Sequence, residues 1–92
     1  MEGAGGVLVP LTENNLVIDL IVDLKWPVVL VAHEGLGTIN HTCLTVEALK
    51  KRNCHIVGII LNQTQKMENE NFTLASATNM AEIERLTGIK VL

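Results

Sequence analysis

The stretch Pro27-Val-Val-Leu-Val-Ala32, followed by His33-Glu-Gly-Leu-Gly37 and Thr38-Ile-Asn-His-Thr42, decides the fold of this chain. The first segment is an apolar run of the kind found in strands that are buried on both faces. The glycines then lead onto a helix start, where unpaired backbone N–H groups lie at the positive end of the helix dipole. The sequence therefore predicts an anion-binding helix N-terminus after a strand. The same glycines would equally suit a tight turn that binds nothing.

Two helices are predicted on either side of the first strand. Apolar residues repeat at helical spacing over Leu16–Lys25, and Trp26-Pro27 should end that helix because the residue before a proline is pushed out of the helical region. The second helix should run from Thr38 to about Arg52. Asn53 can end it in the left-handed conformation.

The remainder of the chain repeats the alternation of strand and helix. A buried strand is predicted over His55–Leu61, then a polar loop over 66–71, a helix that ends at Gly88, and a strand over Ile89–Leu92. Strands that alternate with helices are typical of an α/β fold with a parallel sheet and flanking helices. We therefore expect this class.

Ligands of parallel sheets bind at the carboxyl ends of the strands. Three polar patches should meet at that edge, namely Glu2–Gly6, His33–Asn40 and Asn62-Gln63. The pattern therefore predicts a binding site assembled from three separate parts of the sequence.

Composition restricts the class of protein. Ninety-two residues form one small domain at most, and 48% of them are hydrophobic, so we expect apolar surface that another segment or subunit covers. Seven basic and ten acidic residues give a net charge of −3, and Lys50–Arg52 is the one basic cluster, which argues against nucleic acid and anionic membranes as partners. No apolar run is long enough to span a bilayer, and the N-terminus does not resemble a signal peptide, so a cytoplasmic location is expected.

Three common kinds of site fit the sequence poorly. A zinc cluster would have to use residues whose spacing matches no usual pattern: His33, Glu34, His41, Cys43, Cys54 and His55. Gly35-Leu-Gly-Thr-Ile-Asn40 departs from the dinucleotide motif G-x-G-x-x-G at its last position, and the next strand ends in Asn62 instead of an acidic residue. The phosphate loop G-x-x-x-x-G-K-[ST] is absent from these 92 residues.

Five segments together resemble the C-terminal half of the dethiobiotin synthetase family: Glu2-Gly-Ala-Gly-Gly-Val-Leu-Val-Pro-Leu11, Pro27-Val-Val-Leu-Val-Ala32, Gly35-Leu-Gly-Thr-Ile-Asn-His-Thr42, Leu44-Thr-Val-Glu-Ala-Leu49 and Gly58-Ile-Ile-Leu-Asn62. The resemblance covers nearly all of the chain. It implies a single partial domain over 1–92, the C-terminal part of a phosphate-loop NTPase (Rossmann-like) fold that lacks the N-terminal phosphate-loop half. It also implies a homodimer.

The activity implied by the resemblance is that of an ATP-dependent cyclo-ligase. With ATP and magnesium, diaminopelargonate and carbon dioxide are converted to dethiobiotin for biotin synthesis, and this chain alone would be inactive. Two alternatives stay open. The chain could be a non-catalytic truncated module that only dimerises or binds a carboxylate, or it could be part of another phosphate-loop amidoligase of the cobyrinate type.

The resemblance also implies roles for individual residues, none of them catalytic. Glu2 would be the magnesium ligand, and Glu2, Gly3, Ala4, Gly5, Gly6 and Asn62 would bind the nucleotide. Asn62 would do so through its amide, which can both donate to and accept from a base edge. The substrate carboxylate would be bound by Gly37, Thr38, Ile39 and Asn40. His41 is expected to form hydrogen bonds at the helix start, and His33 and Glu34 receive no role.

Overall fold

The computed structural model describes residues 6–33, 35–62 and 70–92. Its elements are α1 (Val17–Leu24), β1 (Val28–His33), α2 (Thr38–Lys51), β2 (Ile56–Asn62) and α3 (Glu70–Thr87). They follow the predicted order closely, although α3 begins inside the region that was predicted to be loop. Within the described ranges, no helix is both long and apolar enough to cross a membrane.

The helix ends are formed by the residues that the sequence singles out, with one addition. Asn53 and Gly88 adopt positive φ angles of 60° and 71° just after α2 and α3, as predicted. Lys25 does the same after α1, with φ 56°. At the start of α1, the Asp19 carboxylate accepts a hydrogen bond of 2.7 Å from the Leu16 N–H. This contact satisfies a donor that a helix start would otherwise leave unpaired.

The sheet is parallel, as predicted. Strands β1 and β2 pair from Val29 opposite Gly58 to His33 opposite Asn62. The predicted strand over 89–92 is reduced to one parallel bridge between Val91 and Ile59. Among the described residues, β1 has a hydrogen-bonded neighbour on one side only.

The core is aliphatic and brings α2, β2, α3 and the C-terminal segment together. Val46, Ile59, Ile83 and Val91 form one buried cluster. Partly buried side chains surround it: Leu30, Ile39, Ile56, Leu61 and Ile89. These helices therefore cover one face of the sheet.

The opposite face of the sheet is exposed. Val29 and Val31 on β1 are 47% and 57% exposed, and Ile60 on β2 is 39% exposed. The prediction that the first strand is buried on both faces is therefore wrong for this chain, in which inward and outward residues alternate along β1. An apolar run indicates a buried strand, but it does not indicate whether the covering layer lies in the same 92 residues. The expected apolar surface is present on this face.

Candidate functional site

The start of α2 presents two backbone donors. Gly37 precedes the helix with φ 86°, a left-handed conformation that glycine adopts at little cost. The Thr38 N–H donates to the Gly35 carbonyl at 3.2 Å, and the His41 N–H donates to the Gly37 carbonyl at 3.0 Å. The N–H groups of Ile39 and Asn40 donate to no backbone carbonyl among the described residues. These two groups are therefore available to an anion at the positive end of the helix dipole.

The side chains at this helix start differ in what they can offer a ligand. Asn40 is exposed, whereas Ile39 packs against the hydrophobic core, so Ile39 can contribute only its backbone. Thr38 is buried, and its N–H already has a partner. Of the four residues predicted to bind the substrate carboxylate, Asn40 can therefore offer both its N–H and its side chain.

Two buried hydroxyl groups lie one helical turn apart on α2. Thr38 is 6% exposed and Thr42 is 2% exposed, and neither Oγ1 atom has a hydrogen-bond partner within the described part of the chain. A hydroxyl buried without a partner lowers stability. Sequence reasoning missed this pair because threonine at helical spacing carries no signal that separates a buried position from an exposed one.

Asn62, the predicted base-binding residue, lies at the end of β2 and is exposed. Its direct neighbour across the sheet is His33, the last residue of β1. The predicted convergence of His33 and Asn62 at the carboxyl edge is therefore confirmed. Gly37 comes four residues after His33, so the start of α2 follows the same edge closely in sequence.

The glycine-rich segment is described from Gly6 onward. Glu2, Gly3, Ala4 and Gly5, with their predicted roles in nucleotide and magnesium binding, lie outside the described residues, as does Glu34. Gly6 has φ 110°, and it shares a shallow cleft of about 300 Å³ with residues of α2 that include His41 and Leu44.

The segment after Gly6 is attached to the start of α1. The Val7 carbonyl accepts a hydrogen bond from the Ile18 N–H at 2.8 Å, and the Val9 carbonyl accepts one from the Val17 N–H at 2.9 Å. The helix N-terminus therefore fixes the path of the chain where it leaves the glycine-rich segment. Asp19 caps the same helix start, and its place in the third helical position is the signal for this role.

The described residues contain no preformed metal centre. No cluster of three or more His, Cys, Asp or Glu side chains in the described ranges could hold a metal ion.

A second and larger groove lies between α2 and α3. Its volume is about 780 Å³, and its walls include Cys43, Glu47, Lys50 and Leu86. None of the residues with a predicted ligand role lines it. We therefore place the candidate site at the carboxyl edge of the sheet and not in this groove.

Comparison with known proteins finds relatives that match nearly the whole of this chain. A family model described as "AAA domain" matches residues 1–92. The chain is 46% identical over 91 residues to an ATP-dependent dethiobiotin synthetase of Haloferax mediterranei, which covers 99% of this chain and 37% of that protein. It is 52% identical over 87 residues to the protein of the same name from Anaeromyxobacter dehalogenans. This match covers 95% of this chain and 37% of that protein.

A third relative extends the match to the full chain. Identity to the ATP-dependent dethiobiotin synthetase of Endomicrobium trichonymphae is 46% over 92 residues, or 100% of this chain and 41% of that protein. The chain therefore spans about two fifths of the length of the curated relatives it matches.

Proposed function

Because the chain belongs to the AAA domain family, we propose that it supplies part of an ATP- and magnesium-dependent dethiobiotin synthetase. The reaction closes a ring: diaminopelargonate and carbon dioxide form a carbamate, ATP phosphorylates it, and the neighbouring amine displaces phosphate to give dethiobiotin. The similarity of almost the entire chain to proteins named ATP-dependent dethiobiotin synthetase is the observation that supports this proposal best.

The start of α2 is the proposed site for the substrate carboxylate. The N–H groups of Ile39 and Asn40 have no backbone acceptor among the described residues, and they lie at a helix N-terminus. A carboxylate suits this position because hydrogen bonds from N–H groups to an anion are stronger than those between neutral groups. Gly37 and Thr38 set the geometry of this turn, and the exposed Asn40 side chain adds a further donor.

The nucleotide would be bound at the opposite side of the same sheet edge. Asn62 would hold the base, Gly3–Gly6 would lie beside the phosphates, and Glu2 would provide a carboxylate oxygen for magnesium, which would neutralise charge on the transferred phosphoryl group. The sequence contains no G-x-x-x-x-G-K-[ST] motif, so the phosphate loop of the complete enzyme would have to come from outside these 92 residues. We therefore propose that the chain alone binds ligands without catalysing the reaction. We also propose that the complete enzyme works as a cytoplasmic homodimer.

Calorimetric titration of the 92-residue chain with diaminopelargonate tests the carboxylate site. Asn40→Asp adds a negative charge of the same shape at the helix start, where it favours the helix but repels a carboxylate ligand. We expect this variant to weaken binding at least tenfold. The matched control is Asn14→Asp, which makes the same change in an exposed turn before α1 and should leave binding within twofold of the unchanged chain.

The outcome separates the two parts of the proposal. Absence of heat at millimolar diaminopelargonate, with the chain folded by circular dichroism, would remove the carboxylate site. Formation of dethiobiotin by the purified chain with ATP, magnesium and bicarbonate would instead contradict the claim that it is inactive alone.

A further inference from the structure

His33 lies at the carboxyl edge of the sheet and is polar, but none of the ligand contacts proposed above involves it. It ends β1, and its direct partner across the parallel sheet is Asn62, which ends β2. Both residues are exposed. Adjacent strands lie about 4.8 Å apart, and paired residues project from the same face, so the imidazole and the amide stand side by side.

The surface next to this pair is apolar. Two positions before His33 and Asn62, on the same face, Val31 lies opposite Ile60, and these side chains are 57% and 39% exposed. Ligands of parallel sheets bind where the strands end. The edge thus combines an amide for hydrogen bonding, an aromatic ring and an apolar surface, which are features that suit a planar heterocycle better than a phosphate.

We propose that His33 contacts the base of the nucleotide, with its imidazole ring stacked against the purine whose edge the Asn62 amide binds. This inference rests on the proposed role of Asn62. A base held by one amide can rotate about that contact, whereas a ring packed against its face restricts the rotation and rejects ligands without an aromatic base. His33 is therefore a residue that determines specificity for nucleotides.

Ligand-observed NMR titration of the 92-residue chain with ATP, and separately with inorganic tripolyphosphate, tests this inference. Tripolyphosphate carries the charge of the nucleotide without its base. His33→Ala should weaken ATP binding about three- to tenfold, which is the loss expected from one aromatic contact, and should leave tripolyphosphate binding unchanged. His33→Phe keeps a flat ring and should restore ATP affinity to within twofold.

His55→Ala provides the matched control. His55 is also exposed, but it precedes β2 at the other end of the sheet, and its contact with Val28 uses the backbone carbonyl, which the substitution preserves. It should change neither titration. Circular dichroism of each variant checks that the fold is kept.

The Asn62→Ala variant separates the inferred role of His33 from the proposed base-binding role of Asn62, on which it rests. If Asn62→Ala weakens ATP binding and His33→Ala does not, the role of His33 is overturned and the base site remains. If neither variant changes ATP binding, or the chain binds no ATP, both are overturned. Equal weakening of ATP and tripolyphosphate by His33→Ala would identify a phosphate contact and would overturn the stacking role.

Discussion

The ammonium group of Lys50, in the last turn of α2, donates a hydrogen bond to the carbonyl oxygen of Thr87, the last residue of α3. The two helices are thereby joined at their C-terminal ends, where backbone carbonyls lack intrahelical partners and the dipole favours a positive charge. The basic cluster Lys50–Arg52, which the sequence pattern assigns to a helix end, thus contributes one contact between elements.

Replacement of Lys50 by methionine should lower the free energy of unfolding by about 1 kcal/mol, because the apolar stem is kept while the charged donor is lost. Urea unfolding followed by circular dichroism measures the change. Lys51→Met is the control, and it should stay within about 0.5 kcal/mol of the unchanged chain. Equal effects of the two substitutions would mean that the contact with Thr87 does not contribute to stability.

Replacement of Thr42 by valine should raise the free energy of unfolding by about 1 kcal/mol. Valine has the same shape, and it removes a buried hydroxyl group that has no hydrogen-bond partner among the residues that the structure describes. The control is Thr45→Val on the same helix, since the Thr45 hydroxyl donates to the His41 carbonyl at 2.8 Å. Thr45→Val should be neutral or destabilising. A loss of stability in Thr42→Val would show that this hydroxyl has a partner in solution, such as a bound water molecule.

Replacement of Ile59 by valine should lower the free energy of unfolding by about 1 kcal/mol, through the loss of one buried methylene and the cavity that it leaves. Ile59 is fully buried, whereas its neighbour Ile60 is 39% exposed. Ile60→Val makes the same chemical change on the exposed face of β2 and should cost less than half as much. Comparable losses at both positions would indicate that a further layer covers the exposed face in solution.

The ion pair between Glu82 and Arg85 should make a small contribution to stability that depends on pH. A hydrogen bond from Arg85 at 2.6 Å, together with its charge, holds the pKa of Glu82 below the usual value of 4.5. Because the pKa is lower in the folded chain, the contribution is complete above the unfolded value and disappears as the pH falls through the folded value.

Comparison of the unchanged chain with Glu82→Gln measures this contribution. The urea midpoints should differ slightly at pH 7 in low salt and should coincide in acid or in 1 M salt, because both side chains are exposed to solvent. A difference that persists in acid would have to come from another effect of the substitution.

Local signals in the sequence predict most of the fold. Asn53 and Gly88 end their helices in the expected left-handed conformation, and the apolar runs give parallel strands as predicted. The predicted α/β class and the resemblance to dethiobiotin synthetases are both confirmed. These features depend on short stretches of chain, so a single sequence is sufficient to recognise them.

Properties that depend on tertiary contacts are less predictable. The burial of Thr42 and the exposure of Val31 depend on which layers pack against α2 and the sheet, and the sequence pattern does not specify those layers. The pairing of His33 with Asn62 depends on strand register, which is set by contacts between β1 and β2. The predicted roles of Glu2–Gly5 stay predictions because these residues lie outside the described ranges.

The outer edge of β1 makes protein concentration a variable in these experiments. Within the described part of the chain, the edge has no strand beside it, and it borders the exposed side chains of Val29 and Val31. Such an edge is a template onto which a second molecule can add a strand. Stability would then rise with concentration by mass action. Each unfolding midpoint and binding constant should therefore be measured over a dilution series, so that self-association is separated from the effect of the substitution.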